Sequence, residues 1–155
     1  MKTGFLIESL GLSQLGVLMA RNLNKLVSDR GDISPYVFYE DYDKLPETPW
    51  FPIMQNCYAW DFRGILISTS IKTTRIAQTI VGPSKRLFYV WNLEWLYTQK
   101  SFQEFSQVYQ DDNIDLIARS VSHAELLSKL WKTPAHILED FDHEQLTKII
   151  DQYAR

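Results

Sequence analysis

The stretch from Glu8 to Gly16 (ESLGLSQLG) carries the first residues whose types and spacing suit chemistry. A carboxylate, Glu8, and a hydroxyl, Ser9, precede Gly11 and Gly16, five residues apart with Ser13 between them. A glycine-bearing loop that runs into a helix N-terminus leaves backbone N–H groups free to hold an anion. The spacing is G-x-x-x-x-G, not the G-x-G-x-x-G of a dinucleotide site, and Val17 stands where a P-loop needs lysine. Neither NAD nor ATP is indicated, and no cofactor is expected. The same glycines also suit a tight strand-to-helix turn that binds nothing. Further polar groups cluster in Ser68-Thr69-Ser70, in Asn92 to Trp95 with Glu94 between, and in Arg119 to His123 (RSVSH). In the last segment serine, histidine and a nearby glutamate suggest a nucleophile with its base and orienting acid. Spacing points instead to a capping box, because Ser122 and Glu125 stand three apart ahead of an apolar helix face of Leu126, Leu127, Leu130 and Trp131. Ser101 and Glu104 repeat that signature, and Asp142 with Gln145 gives a variant. His123 then falls in the first helical turn, exposed or facing a ligand.

These segments sit between elements of two periods. Lys2 to Ile7 reads as a buried strand, and Leu15, Leu18, Leu23 and Leu26 then recur at helical spacing behind a Ser13 N-cap. Ile33 to Tyr39 is a second strand; Asp41 to Pro52, acidic and with three prolines, reads as a loop. Ile53 to Tyr58 suits a short strand, Gly64 to Ser68 a fourth, Ser70 to Ile80 a helix and Arg86 to Trp91 a fifth strand. A helix over Phe102 to Tyr109, a strand over Ile114 to Ala118 and a helix over Ser122 to Trp131 follow. A short strand at Ala135 to Leu138 and a helix over Asp142 to Tyr153 close the chain. Strands alternating with helices predict an α/β fold, one Rossmann-like domain over residues 1–155. Its sheet should be mainly parallel, of about six strands, with the first strand central and helices on both faces. Ligands in such sheets bind outside the carboxyl ends of the strands. That rule selects Glu8 to Gly16, Thr69 to Thr74, Trp91 to Trp95 and Arg119 to His123, with Glu8 and Glu94 as the carboxylates at strand ends.

Composition narrows the function classes. The 155 residues suffice for one domain with its own core, and 45% hydrophobic with 23% charged residues is the balance of a globular protein. A net charge of -3 argues against a nucleic-acid binder, although Lys72, Arg75, Lys85 and Arg86 lie close enough in sequence to form a local basic patch. The single cysteine, Cys57, suits a reducing compartment, and no metal-ligand spacing accompanies it. Glu8 interrupts the first apolar run, so no signal peptide is read, and no stretch approaches the roughly 18 apolar residues of a membrane span. A cytoplasmic protein is expected.

The order of elements, and above all IDLIARSVSHAELLSKLWKTPAHILEDFD (residues 114–142), resembles the end of the N-terminal domain of GT-B glycosyltransferases, the retaining group often called family 4. In that family a strand ending in a hydrophobic residue and serine leads into a helix patterned S-x-x-x-x-x-L, then a short strand and an N-G-[IV]-D turn. Ser120 to Leu127 takes the place of the helix start, His136 to Leu138 that of the strand, and Glu139 to Asp142 (EDFD) that of the turn. SLGLSQLGVLMARNLNKL is similar to the family's first loop and helix, and RLFYVWNLEWLY to its fifth strand and following aromatic segment. The resemblance implies an acceptor-side domain with a sugar or nucleotide-sugar ligand, completed by a partner chain carrying the donor domain or by a homo-oligomer. With the strand-end rule, it makes Ser9, Gly11, Ser13, Gly16, Ser70, Asn92, Glu94, Trp95, Arg119 and His123 candidate ligand-binding residues. Glu8 is the candidate for catalysis.

The sequence departs from the family at the places that matter for activity. The family's histidine after strand four and its His-Asp pair after strand five are replaced by Ser68-Thr69-Ser70 and Trp91-Asn92. Residues that titrate near neutrality are therefore missing where acid–base work would be done. The family's donor-binding E-x7-E helix has no counterpart here. Taken alone, the chain is not expected to transfer a sugar. It is either the acceptor-side half of a split glycosyltransferase or a non-catalytic binding or adaptor module that kept the fold. A flavodoxin-like enzyme would need more hydroxyls in the first turn than Ser9 and Ser13. The aromatics Trp50, Phe51, Tyr58, Trp60, Phe62, Trp91, Trp95 and Tyr97 concentrate in loops and strand ends, where they either roof the core or contact a ligand or partner. Trp91 reads as adjacent to the core, and Trp95 with Tyr97 as the better contact candidates. A half-enzyme should expose a large apolar face to its partner, whereas a free-standing module should cover it.

Overall fold

Near-continuous apolar runs make the centre of the sheet. In the computed structural model, which describes residues 1–98 and 101–154, β1 (Lys2–Leu10) lies between β2 (Ser34–Tyr42) and β4 (Ile65–Ser68). Phe5 and Ile7 turn to one face of the sheet and Leu6 to the other, and all three are buried. Strands β3 (Ile53–Gln55), β5 (Lys85–Val90), β6 (Ile114–Ala118) and β7 (His136–Ile137) complete one seven-stranded sheet of order β3-β2-β1-β4-β5-β6-β7, with every pair parallel. This is a Rossmann-like α/β domain. The order runs outward in one direction from β1 and in the other from β4, so the switch point lies between them.

Helices α1 (Gln14–Asp29) and α5 (His143–Gln152) cover one face, where Leu15, Met19, Leu23 and Leu26 of α1 and Leu146, Ile149 and Ile150 of α5 meet Phe5, Val37, Ile67 and Tyr89. The other face holds α2 (Ile71–Thr79), α3 (Phe102–Tyr109) and α4 (Val121–Leu130), with Phe88, Val90 and Leu116 packed against Phe105, Tyr109 and Leu127. Each fully buried Leu, Ile or Phe contributes about 1.5–3 kcal/mol, so both layers are held by burial well beyond local helix propensity. Gly64, at the entry to β4, has φ +139, and a Cβ there would collide with the Lys2 carbonyl. Only glycine lets β4 come alongside the start of β1 in this conformation.

Several sequence expectations shift. The short strand near the end of the chain joins the sheet as its seventh. β2 runs on to Tyr42 because Ser9 and Leu10 of β1 pair with Asp41 and Tyr42, so the ladder carries an acidic residue, Asp41, that composition assigned to a loop. The third strand stops at Gln55, and Asn56–Asp61 wind into a 3₁₀ turn. The cap of α4 is Ser120, not Ser122: Ser120 is extended at φ -158, and its Oγ accepts from His123 N–H at 3.2 Å. Ser122 lies already inside the helix, with its hydroxyl 3.2 Å from that of Ser120. Ser101 with Glu104 forms the expected capping box, and Asp142 caps α5 through the Glu144 and Gln145 amides. The four basic residues do not form a patch. Lys72 pairs with Glu40, Arg75 with Glu104 and Lys85 with Asp115, while Arg86 donates to the carbonyls of Ala77 and Ile80.

Candidate functional site

The carboxyl ends of β1, β4 and β5 open onto a cleft of about 280 Å³ at the switch point. Its walls are Ile7, Glu8 and Ser9 from β1, Ser13 to Leu15 from the start of α1, Thr69 and Ser70 after β4, and Trp91 and Asn92 after β5. The parallel ladder explains the convergence, since each strand delivers its polar end to the same edge.

On the β1 side, the Ser13 hydroxyl accepts from the Gly16 amide at 3.1 Å and caps α1. A Cβ at Gly16 would collide with the Gly11 carbonyl oxygen, so this glycine serves a close approach of helix and loop. Gly11 is buried behind the loop against Asp43. Leu12 stands 67% exposed and does not fill the cleft, and the amides of Gln14 and Leu15 belong to the helix turn that lacks intrahelical acceptors. Gln14 enters the site in another way: its Oε1 accepts from Arg119 Nη2 at 3.3 Å. The Arg119 guanidinium lies 3.6 Å from the Trp91 ring centroid, a cation–π stack that fixes it beside the cleft.

After β4 the hydroxyls serve the fold first. Ser68 Oγ and Thr74 Oγ1 lie 2.7 Å apart, Thr69 Oγ1 donates to the Leu6 carbonyl at 3.0 Å, and Thr73 Oγ1 accepts from the Thr69 and Ser70 amides. Ser70 caps α2 in a reciprocal box with Thr73. Glu94 belongs to the same helix end, accepting from the Ile71 amide at 2.8 Å, where a negative charge is favoured by the helix dipole. Trp95 does not line the cleft. Its ring packs against Tyr109 at 5.2 Å and Trp131 at 6.1 Å, in the cluster beneath α3 and α4. Tyr97, close by in sequence, is 63% exposed, and burial followed by the charges of Glu94 and Glu8 pushes its phenol up. The hydrogen bond to Glu40 at 2.5 Å, and after it the charges of Glu40, Glu8 and Asp41, push the Lys72 ammonium up. His123 is half-buried in the first turn of α4, and its Nδ1 has no partner among the described residues. Burial first, then the Arg119 charge, pushes its pKa below the ordinary value, so the ring is neutral at neutral pH.

The arrangement presents one carboxylate, several hydroxyls, two amide side chains and a rim guanidinium to a small polar ligand. Among the described residues, Glu8 is the one cleft-lining residue with an acid–base side chain, so the cleft they form offers hydrogen bonding in quantity and proton transfer from a single group. Gln14 and Trp91 fall within segments that the strand-end rule selects, but their contacts with Arg119, distant in the chain, were not legible in the sequence. Among the described residues, no group of three or more His, Cys, Asp or Glu could hold a metal ion, and no helix is long and apolar enough to cross a membrane. No family model, no curated protein and no solved structure matches this chain.

Proposed function

We propose that the chain is the acceptor-side half of a GT-B-like glycosyltransferase, binding a sugar in the switch-point cleft and acting with a partner, or a second copy, that supplies the nucleotide-sugar donor. The observation that carries this reading is the apolar rim of the cleft edge. Leu12 after β1, Tyr42 at the end of β2, Leu96 and Tyr97 after β5, and Val121 after β6 are all exposed, Leu96 by 68%. They follow the carboxyl ends of the strands, the edge on which a second domain of the resembled family sits, where a partner would cover them. The turn at Glu139–Asp142 adds support: Asp140, in the place of that family's glycine, has φ 47, a conformation glycine adopts most cheaply.

A second reading, a non-catalytic binding or adaptor module, is favoured by how fully the polar strand ends are engaged. Glu94 is held at the N-terminus of α2, and the Ser68 to Thr74 hydroxyls bond among themselves where the resembled family places a histidine.

Labelled protein titrated with mono- and disaccharides tests the cleft. Saturable amide shifts at Ser9, Ser70 and Asn92, lost in Glu8→Gln, are expected. Nucleotide-sugars offered to the chain alone should yield neither transfer nor donor hydrolysis. Turnover by the isolated chain that survives Ser70→Ala and His123→Ala but disappears in Glu8→Gln would refute the half-enzyme reading and name Glu8 as a catalytic residue. Sugar-dependent shifts without turnover under any pairing would favour the binding module.

A further inference from the structure

Trp50 stands on the surface far from the cleft, and its surroundings are organised in a way that burial of the core does not require. The side chain is 64% exposed and forms the wall common to two cavities. One, of about 420 Å³, is lined by Arg21, Asn24, Lys25, Ser28, Asp29 and Glu47; the other, of about 280 Å³, is lined mainly by apolar groups such as Val27, Ile33 and Pro35. The platform is rigidly mounted. Asn24, buried on α1, accepts from the Trp50 amide at 2.7 Å and donates to the Thr48 carbonyl at 3.0 Å, while Phe51 is buried beside it. With the backbone beneath it already held, only the indole's own rotation has to be fixed when a ligand stacks on it.

We propose that this cavity is a second carbohydrate-binding site, in which a pyranose ring of a neutral oligosaccharide stacks on the Trp50 indole and bonds to the polar side chains of α1. The charge pattern selects that class. Two cations, Arg21 and Lys25, share the cavity with two carboxylates, Asp29 and Glu47; Arg21 lies 3.5 Å from Glu47, and Asp29 lies 3.2 Å from His143 Nε2. Donors and acceptors together in one cavity match hydroxyls, each of which both gives and takes a hydrogen bond. A phosphate would meet two carboxylates along with its cations. An apolar face edged by hydroxyls is the shape of a pyranose, and an aromatic plane edged by polar groups is its complement. At about 1.5 Å per residue, Asn24 lies about 16 Å along α1 from the Ser13 cap, so this site does not rest on what the switch-point cleft holds.

The test follows the indole N–H resonance of Trp50, assigned by its loss in Trp50→Phe, while oligomers of glucose, N-acetylglucosamine and mannose are added to labelled protein. A saturable shift of that resonance, with the Lys25 and Ser28 amides, is expected for at least one oligomer. The response of the Lys25 and Ser28 amides should disappear in Trp50→Ala, a variant whose melting temperature and far-UV spectrum should stay those of the wild type. It should persist in Glu8→Gln, which separates this site from the cleft. No saturable shift with any oligomer overturns the proposal, as do Lys25 and Ser28 amide shifts that survive Trp50→Ala. Saturation by a nucleotide or an aromatic peptide, where sugars give none, also overturns it and assigns the platform to that class.

Discussion

Gly16 controls the wall of the cleft, and its replacement by alanine sets two effects of known size against each other. Alanine gains about 1 kcal/mol in helix propensity over glycine. The added Cβ would overlap the Gly11 carbonyl oxygen and stand 3.1 Å from both the Gly11 nitrogen and the Ser13 hydroxyl. Two of these three contacts are main chain, so no rotamer change relieves them. Overpacking of this kind costs about 1–3 kcal/mol, and moving the loop also loosens the Ser13 cap, worth about 1 kcal/mol. The balance is a net loss of about 1–3 kcal/mol. With a urea dependence of about 2 kcal/mol/M for a domain of this size, the unfolding midpoint should fall by about 0.5–1.5 M. Gly31→Ala is the matched control, since nothing lies within 4 Å of a Cβ there and its φ is not positive. It should gain up to about 1 kcal/mol through the unfolded state alone. Equilibrium urea unfolding of the pair by fluorescence and circular dichroism decides the matter. A Gly16→Ala midpoint at or above that of the wild type would mean that helix propensity wins and that Gly16 is not the device keeping loop and helix in register.

Other perturbations are equally direct. Ser70→Ala removes the hydroxyl half of the α2 capping box and should lower stability by about 1 kcal/mol in urea unfolding, with Ser122→Ala nearly neutral because that hydroxyl caps nothing. Phe141 is fully buried between Phe5 and Tyr89 although its φ of 56 is unfavourable for an aromatic residue, so Phe141→Ala should cost about 3–5 kcal/mol in the same assay. His123 has a pKa lowered in the folded state, so its contribution is present above the unfolded value of about 6.5 and is lost as pH falls through the folded value. Urea midpoints of the wild type should therefore drop more between pH 7.5 and 5 than those of His123→Asn, and parallel pH profiles would remove His123 from the account.

Some of this protein was decided locally, and those parts were legible in the chain. β6 and α3 have the bounds their patterns predict, because a continuous apolar run and a Ser-x-x-Glu cap are signals carried within a few residues. Ser13 as the cap of α1 is of the same kind. Alternation of strand and helix likewise dictated a parallel sheet, since parallel neighbours need a crossover and crossovers need covering helices. Where two local signals competed, only the fold chose. Ser120 and Ser122 are equally good caps by type, and the end of the β6 ladder at Ala118 placed Ser120 at the extended position. Asp41 reads as the start of a loop, yet pairing with Ser9 of β1 held it in a strand.

The site belonged mostly to the tertiary structure. That Glu8, Ser9, Ser70 and Asn92 share one cleft follows from the strand-end rule and could be anticipated. That Glu94 is drawn to the N-terminus of α2, Trp95 into the aromatic cluster, and Arg119 onto Trp91 and Gln14 could not. A carboxylate, an indole and a guanidinium each have several favourable partners, and distance alone selects among them. Sequence spacing records which groups can reach the edge of a sheet. Only the packed structure, in which every interaction competes with every other within a few ångströms, determines which groups remain open to a ligand.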